Sequence, residues 1–374
     1  MVGAVVFVDT MFYAAIAPLL PGLAHSLHLS KLSAGVMTAS YPAGMLVAAI
    51  PSGLLAVRIG PKRTVYVGLA LLAGSTLAFA FVNQPALLDV ARFVEGIGGA
   101  CSWAGGLAWI VAEAAPDRRG AMIGGALGAG IAGALLGPVI GTIASAVGRG
   151  PAFSAVVLLS LVLIIEASRL PSVHTDSGQG VRELAASLRE RGVLAGIWLV
   201  GLPAIASGLL NVLGPLQLHG LGAAAAAIGL TFLAGAGLEA LLSPILGRLS
   251  DRRGRLLPLR FGLAGATVLL ACFTLPSTAV GLALLIVATT TTLGAFWAPA
   301  MAMLSDAAEA FGLDQALAAA LMNLAWAGGQ IVGSGAGGAV AKAAGDTVPT
   351  VATAGLCGAT MLALSARGLS ARRR

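Results

Sequence analysis

Charged side chains are scarce in this sequence. Asp, Glu, Lys and Arg make up only 10% of the residues, whereas a soluble domain has about 25%. The three cysteines show no spacing typical of a disulfide framework or a metal site, and we expect neither a metal nor a cofactor. A Gly-x(4)-Gly-Lys loop and a His/Asp/Ser cluster are also missing, so we expect neither direct use of ATP nor an enzyme.

Long apolar runs fill most of the chain instead. Hydrophobic residues make up 58% and the mean hydropathy is +0.94. Each run has about 20 residues, the length of a helix that crosses a hydrocarbon layer of about 30 Å. Backbone groups in lipid must pair within the protein, and no alternating strand pattern suggests a barrel. We therefore predict an all-α membrane protein of about 12 transmembrane helices, at residues 2–23, 33–57, 64–82, 87–113, 121–147, 152–170, 193–216, 225–249, 257–275, 279–304, 316–341 and 349–367.

Basic residues recur beside alternate spans. They include Arg118 and Arg119 after the fourth span and Arg372 to Arg374 at the end. This bias predicts that both termini lie in the cytoplasm and that the protein is multi-pass in the cell membrane. The net charge is +7, but the basic residues recur beside the spans and do not form one basic face. We therefore expect the lipid bilayer rather than nucleic acid as a partner. No small-residue cleavage site follows the first apolar run, so we expect no cleavable signal peptide.

A polar stretch divides the chain near its midpoint. We predict a cytoplasmic linker at 171–192, between six-helix halves at 1–170 and 193–374. A glycine- and arginine-rich signature follows the second span, and a second copy follows the eighth span 194 positions later. Such parallel repeats place a substrate site near the membrane midplane, between the halves.

These two signatures resemble the cytoplasmic-loop motif Gly-x-x-x-Asp-Arg-x-Gly-Arg of the major facilitator superfamily, and the resemblance covers essentially the whole chain. The matching residues are Gly53, Arg58, Gly60, Lys62 and Arg63 in the first copy and Gly247, Asp251, Arg252, Gly254 and Arg255 in the second. The family's aspartate, which helps to latch the cytoplasmic side, is replaced by Val57 in the first copy. We therefore expect Asp251 to take a larger share of this gating role.

The fifth predicted span has a more specific pattern. Gly124, Gly133, Gly137, Pro138 and Gly141 reproduce Gly-x(8)-Gly-x(3)-Gly-Pro-x(2)-Gly, with Thr142 in place of the final glycine. In this family the pattern is associated with antiporters, particularly twelve-span drug/proton exporters. Glycines allow a neighbouring helix to approach closely, and a proline bends the span.

Four charged residues lie inside predicted spans: Asp9, Arg92, Glu95 and Glu239. A charge at the bilayer centre costs about 2.5–3.5 kcal/mol on insertion scales, so such residues usually face the bundle interior. We predict that these four couple transport to protons. The alternatives are a purely structural ion pair of Arg92 with Glu95, a buried structural acid at Glu239 and an acid solvated near the cytoplasmic interface at Asp9. Asp9 is the leading candidate, because the acid followed by Pro18 and Pro21 resembles the first span of drug and amine exporters in this family.

Polar and aromatic residues at similar depth suggest a substrate pocket. The candidates are Asp9, Tyr13, Tyr41, Asn211, Trp297, Asn323, Trp326 and Gln330. Aromatic rings among them could bind a lipophilic cation through cation–π contacts.

The function that these features favour is export of small, amphipathic or cationic compounds by proton antiport through alternating access. Proton symport or facilitated uptake of a metabolite is the alternative within transport. A membrane scaffold or receptor is the alternative of another class, and the intramembrane acids count against it. We expect a monomer whose partners are the bilayer, a small-molecule substrate and protons.

Overall fold

The computed structural model describes residues 1–113, 118–169, 181–313 and 315–371. Every regular element within these residues is a helix. The first six spans are α1 (Val2–Ala14 and Ile16–Ser26), α2 (Lys31–Ile59), α3 (Pro61–Phe81), α4 (Pro85–Glu113), α5 (Arg119–Val147) and α6 (Arg149–Ser168).

A short linker helix, Val181–Ser187, precedes the second set; residues 171–180 of the predicted linker lie outside the described residues. The remaining spans are α7 (Arg191–Gly220), α8 (Ala225–Arg253), α9 (Leu256–Ala271), α10 (Ala279–Ala310), α11 (Gln315–Ile331, a π-helical turn at Val332–Ala336, and Gly337–Ala344) and α12 (Thr347–Ala371).

Two of the spans are interrupted. Helix α1 breaks at Ala15, as expected because the ring of Pro18 clashes with the carbonyl group four residues earlier, at Ala14. Helix α11 widens into a π-helical turn within a glycine-rich segment. Such turns often occur at functional sites.

Nine helices in the described part of the chain are long and apolar enough to cross a membrane. The other three spans have physical reasons for failing that criterion. The first half of α4 contains Asp89, Arg92 and Glu95, α9 is short with 16 residues, and α11 is divided by its π-helical turn. The order of the twelve predicted spans is confirmed, although α9 ends at Ala271, four residues earlier than predicted.

The two sets of six helices pack in equivalent ways. In the first set α1 lies against α5, α2 against α4, and α3 against α4 and α6. In the second set α7 lies against α11, α8 against α10, and α9 against α10 and α12. Between the sets, α2 contacts α11 and α5 contacts α8, which are also equivalent pairs. We call α1–α6 the N-terminal half and α7–α12 the C-terminal half.

The outer surface of the bundle is apolar. Large hydrophobic side chains are exposed on most helices, for example Leu158 at 64%, Leu241 at 73% and Phe261 at 69%. A soluble monomer rarely exposes apolar side chains on this scale. The surface therefore suits contact with lipid.

The halves meet at the end of the bundle where α2 and α8 begin. A Cβ atom at Gly338 of α11 would lie 2.7 Å from the carbonyl oxygen of Lys31. The Lys31 Nζ atom lies 2.6 Å from Asp346 Oδ1, and Gln217 Nε2 donates to Asp346 Oδ2 at 2.9 Å. These three side chains form a polar clasp between α2, α7 and the start of α12.

At the opposite end of the bundle, residues 122–128 of α5 make no such contact within the described part of the chain. Cβ atoms at Gly124, Gly125 and Gly128 would have no atom within 4 Å, and Met122 and Leu127 are exposed. Among the described residues, the contacts of α5 with α8 lie near the end of α5, and the surroundings of residues 119–121 and 247–253 lie outside the described residues.

Candidate functional site

Asp9 is completely buried in the middle of the N-terminal half. Tyr41 of α2 donates a hydrogen bond to its Oδ2 atom at 3.0 Å, and the side chain of Trp103 of α4 also interacts with the carboxyl group. Its Oδ1 atom has no hydrogen-bond partner in the described part of the chain. A Cβ atom at Gly99 would lie 2.9 Å from Oδ1, so this glycine leaves the space for the carboxyl group.

Arg92 and Glu95 form a buried ion pair beside Asp9. Both side chains are 1% exposed, and Arg92 Nη1 donates to both carboxylate oxygens of Glu95, at 2.8 and 3.1 Å. Arg92 Nη2 donates to the carbonyl oxygen of Tyr13 at 3.4 Å, whereas Nε has no hydrogen-bond partner within the described ranges. Two acids and one base therefore share a single site.

Three aromatic rings surround the Arg92 guanidinium. Its Cζ atom lies 5.3 Å from the ring centroid of Tyr41, 5.7 Å from that of Tyr13 and 5.9 Å from that of Phe12. A cation within about 6 Å of a ring centroid is attracted by the ring's negative face. We call these rings with Asp9 and Glu95 the aromatic box.

The aromatic box reaches the contact between the halves. The rings of Tyr13 and Trp326 of α11 lie 5.5 Å apart, edge to face, and the side chain of Asn211 of α7 interacts with Tyr13. The structure thus brings together seven of the predicted site residues: Asp9, Tyr13, Tyr41, Arg92, Glu95, Asn211 and Trp326.

The glycine pattern of α5 positions Asp9. Gly133, Gly137 and Gly141 face α1, and a Cβ atom at Gly137 would lie 2.6 Å from the Met11 carbonyl oxygen. Thr10 of α1 donates to the Gly130 carbonyl oxygen at 2.9 Å. A Cβ atom at Gly124, by contrast, would meet no described atom of another element within 4 Å.

Pro138, within the same pattern, lies at the contact between the halves. Its carbonyl oxygen accepts a hydrogen bond from Thr142 at 2.8 Å and would lie 3.1 Å from a Cβ atom at Gly229 of α8. The pattern therefore joins α1 on one side and α8 on the other.

Four predicted site residues lie apart from the aromatic box, within the C-terminal half. The half-buried Glu239 rests against Gly294 of α10, without a hydrogen-bond or ion-pair partner in the described residues. Gln330 Nε2 donates to Ser207 Oγ at 3.0 Å. Trp297 packs against buried hydrophobic side chains of the bundle, and Asn323 is half-buried.

The two loop signatures end their helices alike but make different contacts. Gly60 ends α2 at φ 91° and Gly254 ends α8 at φ 85°. Lys62 Nζ donates to the Ser168 carbonyl oxygen at 3.1 Å, and Arg255 forms an ion pair with Asp306 of α10. Gly53 is half-buried. Val57, Arg58 and Arg63 are exposed, and the surroundings of Gly247, Asp251 and Arg252 lie outside the described residues.

Sequence reasoning missed several contributors. Trp103 is one residue in a run of small and apolar residues, and nothing in the sequence indicated its position beside Asp9. Asp346, which pairs with Lys31, was missed as well. A hydrophilic residue at the edge of a span is the only available signal for such a partner.

Solved structures share this fold. The crystal structure of the nucleoside transporter NupG superposes with a TM-score of 0.75 at 14% identity, covering 98% of this chain and 97% of that chain. A mutant of the same transporter gives a TM-score of 0.78, also at 14% identity, with 98% of each chain covered. At this level of identity the likeness concerns the fold alone.

The family model of the Major Facilitator Superfamily matches residues 2–312 and 199–373. The chain belongs to this superfamily of transporters, which confirms the resemblance of its loop signatures.

Two curated relatives are amine transporters. The synaptic vesicular amine transporter of Homo sapiens is 28% identical over 306 residues, which cover 77% of this chain and 57% of the relative. The chromaffin granule amine transporter of Rattus norvegicus is 29% identical over 233 residues, 60% of this chain and 44% of the relative. This chain thus matches little more than half the length of the first relative.

Proposed function

We propose that this transporter exports small amphipathic or cationic compounds by proton antiport through alternating access. The observation that supports this most is the buried carboxyl group of Asp9. One of its oxygens has no hydrogen-bond partner among the described residues, and the other accepts a hydrogen bond from Tyr41, whose neighbour Tyr13 contacts Trp326 of the C-terminal half. Such a group can take up a proton or attract an organic cation, and the two uses exclude each other.

The relatives favour a cation as the substrate. Both curated relatives above are amine transporters by name, and an amine is a cation near neutral pH. Uptake of a metabolite by symport has no comparable support. We also propose Glu95 and Glu239 as further proton carriers, and Arg92 as the base whose pairing changes with protonation.

The proposed architecture follows the two halves. Residues 1–170 and 193–374 act as rocking units joined by the linker at 171–192, and protonation sets which state is favoured. We place the protein in the cell membrane as a monomer with both termini in the cytoplasm. In that orientation the polar clasp of Lys31, Gln217 and Asp346 closes the outer side, and the substrate site opens to the cytoplasm.

Reconstituted vesicles test the proposal. An inside-acid pH gradient is imposed while a potassium clamp holds the membrane potential at zero, and permanently charged organic cations are added outside. Such cations cannot transport protons through lipid by themselves. Antiport predicts that certain cations dissipate the gradient with wild-type protein and that Asp9→Asn abolishes the effect.

The matched control is Asp89→Asn, which neutralises another acid of the N-terminal half, outside the aromatic box. This variant should dissipate the gradient like the wild type. Gradient loss that survives Asp9→Asn would move the coupling to Glu95 or Glu239. If no cation dissipates the gradient while a labelled solute still enters down its own concentration gradient, antiport is wrong and the protein is a facilitator.

A further inference from the structure

The aromatic box already contains a cation, the side chain of Arg92. Its guanidinium has rings of Phe12, Tyr13 and Tyr41 within 6 Å and the Glu95 carboxylate in direct contact. Aromatic rings combined with a carboxylate are the usual means by which proteins bind organic cations. The protein's own arginine therefore occupies the kind of site that a cationic substrate would need.

Arg92 is held incompletely in this position. A guanidinium has five N–H donors, yet the contacts to Glu95 all come from Nη1. The Nη2 contact to the Tyr13 carbonyl oxygen is long at 3.4 Å, and Nε has no hydrogen-bond partner among the residues that the structure describes. The Oδ1 atom of Asp9 likewise has no hydrogen-bond partner in the described part of the chain. A competing cation would find an unused acceptor in Asp9 and face few bonds to break at Arg92.

We propose that Arg92 is a tethered occupant of the cation site, and that an organic cation of the guanidinium or ammonium class binds by taking its place in the aromatic box. This inference rests on the proposed function and deepens it, because it specifies how a substrate cation and the protein's own charge share one site. The ring of Trp326 contacts that of Tyr13 edge to face. Replacement of Arg92 by a substrate cation would therefore also alter a contact with the C-terminal half.

The alternative is a purely structural ion pair. In that case Arg92 only neutralises Glu95, and removing both side chains' charges would leave no affinity for a cation. The two views differ in what happens when the box is emptied. A vacated box lined by three rings and Asp9 should bind a small free cation that the intact protein excludes.

Methylguanidinium is the probe, because it has the shape and charge of the missing group. Purified protein in detergent is heated with increasing methylguanidinium, and ligand binding to the folded state raises the Tm. We expect Arg92→Ala to be stabilised with an apparent affinity about tenfold or more above that of the wild type. Because Arg92→Ala leaves Glu95 without its partner, Arg92→Ala/Glu95→Gln is the second variant, and it should respond as well through Asp9.

Two controls define the effect. Arg149→Ala removes another arginine that lies 5.6 Å from an aromatic ring, that of Phe79, outside the box, and it should respond like the wild type. Methylurea, which has a similar shape without charge, should stabilise none of the variants. The proposal is overturned if both Arg92 variants respond to methylguanidinium no more than the wild type, or if Arg149→Ala or methylurea gives the same response.

This experiment uses no gradient, so its result is independent of the antiport test. Binding of methylguanidinium to the emptied box without any cation-driven loss of the pH gradient would keep the cation site and remove the antiport proposal. Gradient loss with the wild-type protein, without binding of methylguanidinium to either Arg92 variant, would keep the antiport proposal and remove the proposed role of Arg92.

Discussion

Gly133, Gly137 and Gly141 of α5 rest on α1 in the N-terminal half, and Gly329, Gly333 and Gly337 of α11 rest on α7 in the same way in the C-terminal half. Both sets repeat every four residues and allow the backbones to approach closely. The first helix of each half is therefore packed in the same way, against a helix with glycines at every fourth position.

The two halves differ in what that scaffold holds. The offset of 194 residues places Pro203 opposite Asp9, Ile286 opposite Arg92 and Thr289 opposite Glu95. Ile286 and Thr289 are completely buried, and the Thr289 hydroxyl donates to its own helix. The comparison teaches that the fold needs the glycines in both halves but needs the buried charges in only one. Those charges are thus better explained by function than by stability.

The largest expected effect comes from separating the buried ion pair. Arg92→Ala leaves Glu95 without its partner and should lower the free energy of unfolding by about 3–5 kcal/mol. Ile286→Val at the equivalent C-terminal position should cost about 0.5–1.5 kcal/mol. Thermal unfolding in mild detergent measures both.

Arg92→Ala/Glu95→Ala tests the cause of that loss. Removal of both partners should restore part of the stability, because no buried charge is left unpaired. A double variant as unstable as Arg92→Ala would show that packing of the arginine, not pairing, is responsible.

An intermediate effect is expected from the shared glycines. A side chain at Gly133 would meet the Phe7 carbonyl oxygen, and one at Gly333 would meet that of Ile205. Gly133→Val and Gly333→Val should therefore each destabilise the protein, by about 1–3 kcal/mol. Gly124→Ala, which meets no atom within 4 Å, is the control and should cost nothing. A loss in only one of the two valine variants would break the proposed equivalence of the halves.

The smallest effect on stability is expected at the clasp between the halves. Lys31 is 40% exposed, so Lys31→Met should change the free energy of unfolding by about 0.2–1 kcal/mol. Its main consequence should be a shift towards separated halves at that end. Spin labels at Gln84 and Leu275, in a background without the native cysteines, would report a longer distance distribution. An unchanged distribution in both Lys31→Met and Asp346→Asn would mean that the glycine contacts alone close this end.

The sequence predicted the fold well because spans are local features. Hydropathy and charge placement located the twelve helices, and the rarity of charge in lipid singled out Asp9, Arg92 and Glu95. Partners were harder, because a contact such as Tyr13 with Trp326 joins residues 313 positions apart. Glu239 satisfied the same charge criterion as Asp9, yet it lies against Gly294, away from the aromatic box. Depth within a span can be estimated from one sequence, whereas the side that a residue faces cannot.

The π-helical turn in α11 has a consequence for the relation between the halves. Fifteen positions separate Gly133 from Gly148, the positive-φ glycine that follows α5, and sixteen separate Gly329 from Gly345, its counterpart after α11. A π-helical turn accommodates one more residue than an α-helical turn. The widened segment Val332–Ala336 thus accounts for the one-residue difference in length between these two equivalent stretches. The C-terminal half therefore accommodates one more residue in α11 than the N-terminal half does in α5, at a place where α11 contacts α2 of the other half.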